Sequence, residues 1–153
     1  LTMGSYRNLQ FQAQQIREAR ILCEQSDKMI IALQSDVMRA TMIGRKLASG
    51  SSQDVAAAVQ EHGKSLHFFM AEIEKLTTPV RVKNLVNTAK MPLDDFFKMT
   101  QTISGLAFSN PSAAALTMPA YFTAVNALQD ANDKLNVELD HFAITISEAA
   151  NTQ

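Results

Sequence analysis

Along four stretches of this chain, apolar residues recur in alternating three- and four-residue steps, and that spacing most limits what the chain can fold into. The first row reads Leu9, Gln12, Ile16, Ala19, Cys23, Ser26, Ile30, Leu33, Val37, Ala40, Gly44, Leu47. The second reads Val55, Val59, His62, Leu66, Phe69, Ile73, Leu76, and the third Val82, Val86, Ala89, Leu93, Phe96, Thr100, Ile103, Ala107. The fourth reads Tyr121, Val125, Leu128, Asn132, Leu135, Leu139, Phe142, Ile146. Steps of this size keep one stripe of an α-helix on the same side, and no segment alternates for long with the period of two that strands need. Each stripe must be covered, and a chain of 153 residues has the size of one domain. The expectation is therefore an all-α single domain over residues 1–153, an antiparallel up-down-up-down four-helix bundle with long first and fourth helices.

Local signals divide the rows. The first helix is expected over about 5–49, stopping at Gly50, a residue suited to a left-handed cap. Ser51 or Ser52 caps a second helix over 52–76, with Asp54 in its first turn, and Thr77-Thr78-Pro79 ends it. The third covers 80–108, with a kink or short break expected near Pro92, which removes a backbone donor. "SNPSAAALTMP" reads as a connection holding at most a short helical turn over 113–116. Thr117 as cap and Pro119 in the first turn then open a fourth helix over 119–150. At about 1.5 Å per residue the first and fourth helices measure about 66 and 48 Å, against about 40 Å for the middle pair. An antiparallel arrangement brings both chain ends to one end of the bundle, as expected of a segment held between two membrane anchors; a free-standing bundle has the same layout.

Charge and composition narrow the function. Lys and Arg number 14 against 15 Asp and Glu, a net charge of −1, which removes the electrostatic reason to expect nucleic-acid binding. No apolar run approaches the roughly 18 residues of a membrane span, and no signal peptide is visible. The single cysteine, Cys23, cannot form an intrachain disulfide or a thiolate metal site and reads as a small packing residue. Glu138 and His141 have the Glu-x-x-His spacing of di-iron bundles, but a second pair is missing and neither lies on the stripe, so a solvated face is expected. His62 in "EHGKSLHFF" faintly resembles a phosphotransfer histidine, yet its place on the stripe favours a hydrogen-bonded core histidine. Gln12, Ser26, Thr100 and Asn132 read as register-setting polar positions. No nucleophile elbow, phosphate-binding loop or zinc spacing is present, so no enzyme, no cofactor and no metal are expected.

"IALQSDVMRATMIGRKLASG", residues 31–50, carries more apolar surface than one stripe explains. Ile31, Met38, Met42 and Arg45 lie within about 60° of one another, apart from Ile30, Val37, Ala40 and Gly44. A second apolar stripe on a small bundle needs a second partner, and a copy of itself is the simplest, giving a two-fold dimer through the first helix. Arg45 lies near the end at which Tyr121, Phe122 and Asn126 open the fourth helix. A cation, aromatic rims and an amide suit a small carboxylate. The alternative is that Arg39 and Arg45 are solvated, their stems lying over apolar surface.

Two stretches, "LQSDVMRATMIGRKL" (33–47) and "YFTAVNALQDANDKL" (121–135), give the chain a resemblance to a known family. It resembles the extracytoplasmic four-helix-bundle ligand-binding domains of bacterial methyl-accepting chemotaxis receptors and related sensor kinases. In the amino-acid-sensing members, three first-helix arginines from two subunits clamp a carboxylate, and the fourth helix adds an aromatic pair, a carbonyl and a hydroxyl. The resemblance implies that Arg45 matches one arginine, with Arg39 nearby but out of phase. Asp36 and Thr41 stand where the other two would be. Tyr121 and Phe122 match the aromatic pair, Ala124 could supply the carbonyl, and Asn126 replaces the hydroxyl. With two of the three cations missing, a different organic acid or an aromatic compound fits as well as an amino acid. The glycine-arginine-rich motif of the nitrate-sensing bundles is not found. The implied function is a periplasmic sensor domain of an inner-membrane chemoreceptor, binding a small organic acid at a homodimer interface and passing a helix displacement inward. The alternative is a cytoplasmic phosphotransfer or protein-interaction bundle.

Overall fold

The computed structural model describes residues 3–76 and 79–151. They form four helices, α1 (Met3–Gly44), α2 (Ser52–Lys75), α3 (Val80–Ser109) and α4 (Pro111–Asn151), with no strand among the described residues. This is consistent with a helical bundle. α1 packs against α2, α3 and α4, and α3 packs against α2 and α4, whereas the α2 and α4 backbones do not approach each other. Contacts across the seams pair Arg20 with Asp140 and Asp27 with Asn132 between α1 and α4, and Arg81 with Glu138 and Thr100 with Tyr121 between α3 and α4. Between α2 and α3, His67 meets Asp94 and Glu74 meets Lys90. Among the described residues no helix is long and apolar enough to cross a membrane.

The apolar rows are buried to different extents. All eight α3 positions are buried, as are the first six of α4, with Phe142 and Ile146 half-buried. In α1 burial runs from Ile16 to Ala40; Gln12 and Leu47 are exposed. Near the N-terminal end of α1, Tyr6, Leu9 and Ala13 line a groove together with Ala143, Ile146 and Ala150 of α4. In α2 the buried residues are Gly63 and Met70 rather than His62 and Phe69, which are half-buried. The Phe97 ring of α3 lies so close to Gly63 that any side chain there would collide with it, so this face of α2 must be the one turned inward.

The element ends also differ from expectation. α1 stops at Gly44, not near residue 49. The turn after it is a Schellman closure in which the Leu47 N–H donates to the Met42 carbonyl (2.8 Å) and the Lys46 N–H to that of Ile43 (2.9 Å). Lys46 takes the left-handed conformation there, φ 62°, while Gly50 at φ 156° lies within the loop. An L-residue is strained at such a position, so Lys46→Gly is expected to raise unfolding stability by about 0.5–1 kcal/mol. Urea denaturation checks this, and a loss of stability would refute it.

α3 is continuous through Pro92, without the expected break. α4 begins eight residues before the expected start at 119. Asn110 closes α3 with its N–H on the Leu106 carbonyl (2.7 Å), then caps α4 by accepting the Ala113 N–H on its side-chain oxygen (3.2 Å). Pro111 follows at the first helical position, where a missing N–H costs nothing. Thr117 is not a cap: its hydroxyl donates to the Ala113 carbonyl within the helix, and Pro119 lies inside α4.

Candidate functional site

A groove of about 270 Å³ opens between α1 and α4, near the Asn110 link. Gln34, Val37, Met38 and Thr41 form its α1 wall, Arg45 joins them from the turn after α1, and Ala107 of α3 forms part of its floor. Ala114, Met118, Tyr121 and Phe122 form the α4 wall. Of the seven residues expected at a site, the fold therefore brings together Thr41, Arg45, Tyr121 and Phe122. It does not bring in Arg39, Ala124 or Asn126. Arg39 leaves α1 on another face, its guanidinium beside Gly50, because it precedes the groove-lining Thr41 by two residues, which sets the two side chains about 160° apart around the helix. Asn126 is exposed one turn beyond Phe122, and Ala124 lies on a different face of α4 from it; neither lines the groove.

Hydrogen accounting defines what the groove offers. Tyr121 is buried, its ring stacked on Phe96 at 5.8 Å and tilted against Phe122 at 6.4 Å. Its hydroxyl lies 3.0 Å from that of Thr100, whose own proton goes to the Phe96 carbonyl at 2.8 Å. Tyr121 must then donate to Thr100. Burial pushes the phenol up to about 12, with the Thr100 bond opposing, so the floor stays neutral. Thr41 spends its proton on the Val37 carbonyl (2.9 Å) and can only accept from a ligand. Pro119 has no N–H, so the groove-lining residue Ala115 lacks the usual helical donor to its carbonyl. Arg45 is the one charged side chain on the lining, and it forms no ion pair among the described residues. An unopposed guanidinium at the mouth of an apolar slot favours an anion.

The second stripe of α1 faces outward. Ile31 and Met38 are each 60% exposed and Met42 is exposed as well. Met38 belongs to both features, so the apolar surface runs unbroken from the groove onto the outer face of α1.

The remaining candidates have structural partners. His62 is half-buried with its Nδ1 2.6 Å from Oδ2 of buried Asp36, so Asp36 serves α2 and not the groove. Glu138 is not on a solvated face: its side chain is 12% exposed and its Oε1 lies 3.3 Å from Nε of Arg81. His141 is exposed, its ring edge-on to Phe142. No cluster of potential metal ligands exists among the described residues. Cys23 is buried near Oδ1 of Asn132, and burial, with Asp27 and Glu24 nearby, pushes its thiol up to about 12, leaving it a protonated packing group. Burial also raises the Asp27 carboxyl above its usual range, opposed by bonds from Asn132 and Asn136. Thr100 and Asn132 thus tie helices together as expected of polar stripe residues, whereas Gln12 is exposed.

Besides Gln34 on α1, five groove residues were not anticipated: Ala107, Pro111, Ala114, Ala115 and Met118. Four of the five lie in the segment read as a connection, and the signal available for them was Asn110-Pro111, a cap followed by a first-turn proline. No protein-family model matches this chain, and no curated protein or solved structure is significantly similar to it.

Proposed function

We propose that the chain is the periplasmic ligand-binding domain of an inner-membrane chemoreceptor, an antiparallel up-down-up-down bundle that takes a small organic acid in the α1–α4 groove. The seam contacts support the topology: rising numbers on one helix meet falling numbers on the next, as in Arg20–Asp140 and Asp27–Asn132, or Arg81–Glu138 and Thr100–Tyr121. The observation that carries the ligand class is Arg45, a cation without a partner among the described residues, at the rim of a slot floored by Tyr121 and walled by Met38, Met118 and Phe122. The exposed stripe of Ile31, Met38 and Met42 beside it supports a two-fold dimer through α1, which sets the groove at the edge of the interface.

In this reading the domain performs no chemistry on its ligand and needs no cofactor or metal. A carboxylate at Arg45 and an apolar body on Tyr121 bridge α1 and α4. Any arrangement of the two helices that shortens those contacts gains population, and the shift of α4 against α1 is the signal. Calorimetric titration with a panel of organic acids tests it. Arg45→Ala is expected to weaken the acids that bind by roughly 10- to 100-fold, the value of a charge-assisted hydrogen bond. Binding with affinity unchanged in Arg45→Ala would remove the site. The competing reading, a phosphotransfer bundle, requires a histidine open to a kinase; His62, half-buried with Nδ1 held by Asp36, supports a structural role instead.

A further inference from the structure

A second groove, of about 450 Å³, lies between α2 and α3 and has a different chemistry. Its floor is apolar, made by Val55 and Val59 of α2 and Phe108 of α3. Its rim carries three side-chain amides, Gln53, Gln60 and Gln101. No charged residue lines it, in contrast to the α1–α4 groove with Arg45.

Ser104, on the α3 wall, is 5% exposed, and its Oγ has no hydrogen-bond partner among the described residues. Elsewhere in these helices hydroxyls are satisfied locally. Ser26, Thr41, Thr100 and Ser109 each donate to the carbonyl four residues back. A buried hydroxyl left without a partner is destabilising, so its presence facing a groove needs a reason. The adjoining residue is Gly105, where an added Cβ would meet nothing within 4 Å. Packing therefore does not require glycine there, and a larger residue would close the slot. Glycine in the interior of a helix is itself unfavourable.

We infer that the α2–α3 groove is a second small-molecule site, one that takes an uncharged ligand with an apolar body and a carbonyl or similar acceptor. The acceptor takes the Ser104 proton, the body lies on Val59 and Phe108, and the glutamine amides complete the polar contacts at the rim. A carboxylate is disfavoured, since desolvating it against this lining brings no compensating cation. The inference stands apart from the reading of the Arg45 groove.

Benzamide and benzoate are matched probes, nearly equal in shape, the first uncharged and the second an anion. Amide NMR of the labelled protein is expected to show saturable shifts around Val59, Ser104, Gly105 and Phe108 with millimolar benzamide and none there with benzoate. Gly105→Leu, at a position where an added Cβ meets nothing within 4 Å, places a side chain in the slot and is expected to abolish the benzamide shifts. Ser104→Ala is expected to weaken benzamide roughly three- to tenfold while raising the melting temperature of the free protein, because the orphaned hydroxyl is gone. The inference is overturned if benzamide shifts nothing in this groove or if Gly105→Leu leaves the shifts intact. It is equally overturned if Ser104→Ala lowers stability, which would mean the hydroxyl has a partner. Benzoate responses at Arg45 belong to the other groove and bear on neither result.

Discussion

Phe96→Ala is expected to lower unfolding stability by about 3–5 kcal/mol, the usual cost of deleting a fully buried aromatic ring. Phe96 is 0% exposed, and its ring is stacked at 19° on Tyr121, which in turn floors the α1–α4 groove. The cavity would open directly beneath that floor. For a domain of this size the melting temperature should fall by roughly 6–20 °C. A second consequence separates a packing role from a role in the site. With its support gone, Tyr121 is free to sink from the groove, and under the proposed function the affinity for an organic acid should fall along with stability. Phe96→Leu, which keeps most of the volume, should cost less than about 1.5 kcal/mol and restore most of the binding. Differential scanning calorimetry and titration of the same samples give both values. A stability loss below 1 kcal/mol in Phe96→Ala would show that the ring is not packed as described.

The second large effect concerns the crossing of α1 over α3. A Cβ added to Gly44 would run into the carbonyl oxygen of Ala107, with the carbonyl carbon behind it. Both are backbone atoms in the last turn of α3 and cannot rotate aside as a side chain does. Gly44→Ala is therefore expected to destabilise by about 1–3 kcal/mol, although alanine is the better helix former. Gly105→Ala is the matched control: it is also a helical glycine in α3, but its Cβ points into open space. It should gain about 0.5–1 kcal/mol from backbone entropy alone. The two substitutions are chemically identical, so opposite signs in urea unfolding isolate the close approach of the helices. Ala107 also lines the Arg45 groove, so forcing α1 off α3 should weaken acid binding as well.

How far the candidate site could be read beforehand follows from the range over which each signal acts. Arg45, Tyr121 and Phe122 were legible because an apolar stripe and the chemistry beside it are properties of single helices, whereas Thr41 entered only through the resemblance. Arg39 was expected at the site and does not reach it, because it is out of helical phase with the groove-facing set. Ala107 carried no such mark, since its place in the groove depends on how closely α1 approaches α3. The α4 wall upstream of residue 119 was hidden by a competing local signal. Pro119 reads as a helix start, yet it sits inside a helix opened earlier by Asn110-Pro111.

Four helices, their apolar stripes, most of the α3 and α4 core and the outward second stripe on α1 are written in the chain itself. Helical periodicity is a local property, and three- and four-residue spacing leaves few other ways to bury those side chains. Only the tertiary structure decided which residues flanking a stripe go under. Gly63 and Met70 went under rather than His62 and Phe69, with the Phe97 ring of α3 packed directly on Gly63. Glu138 left solvent for Arg81, and Asp36 crossed to His62. The end of α1 was settled by a left-handed lysine, not a glycine. Such outcomes depend on the side chains of a neighbouring helix or on the closing geometry of a turn, and neither is visible from one helix alone.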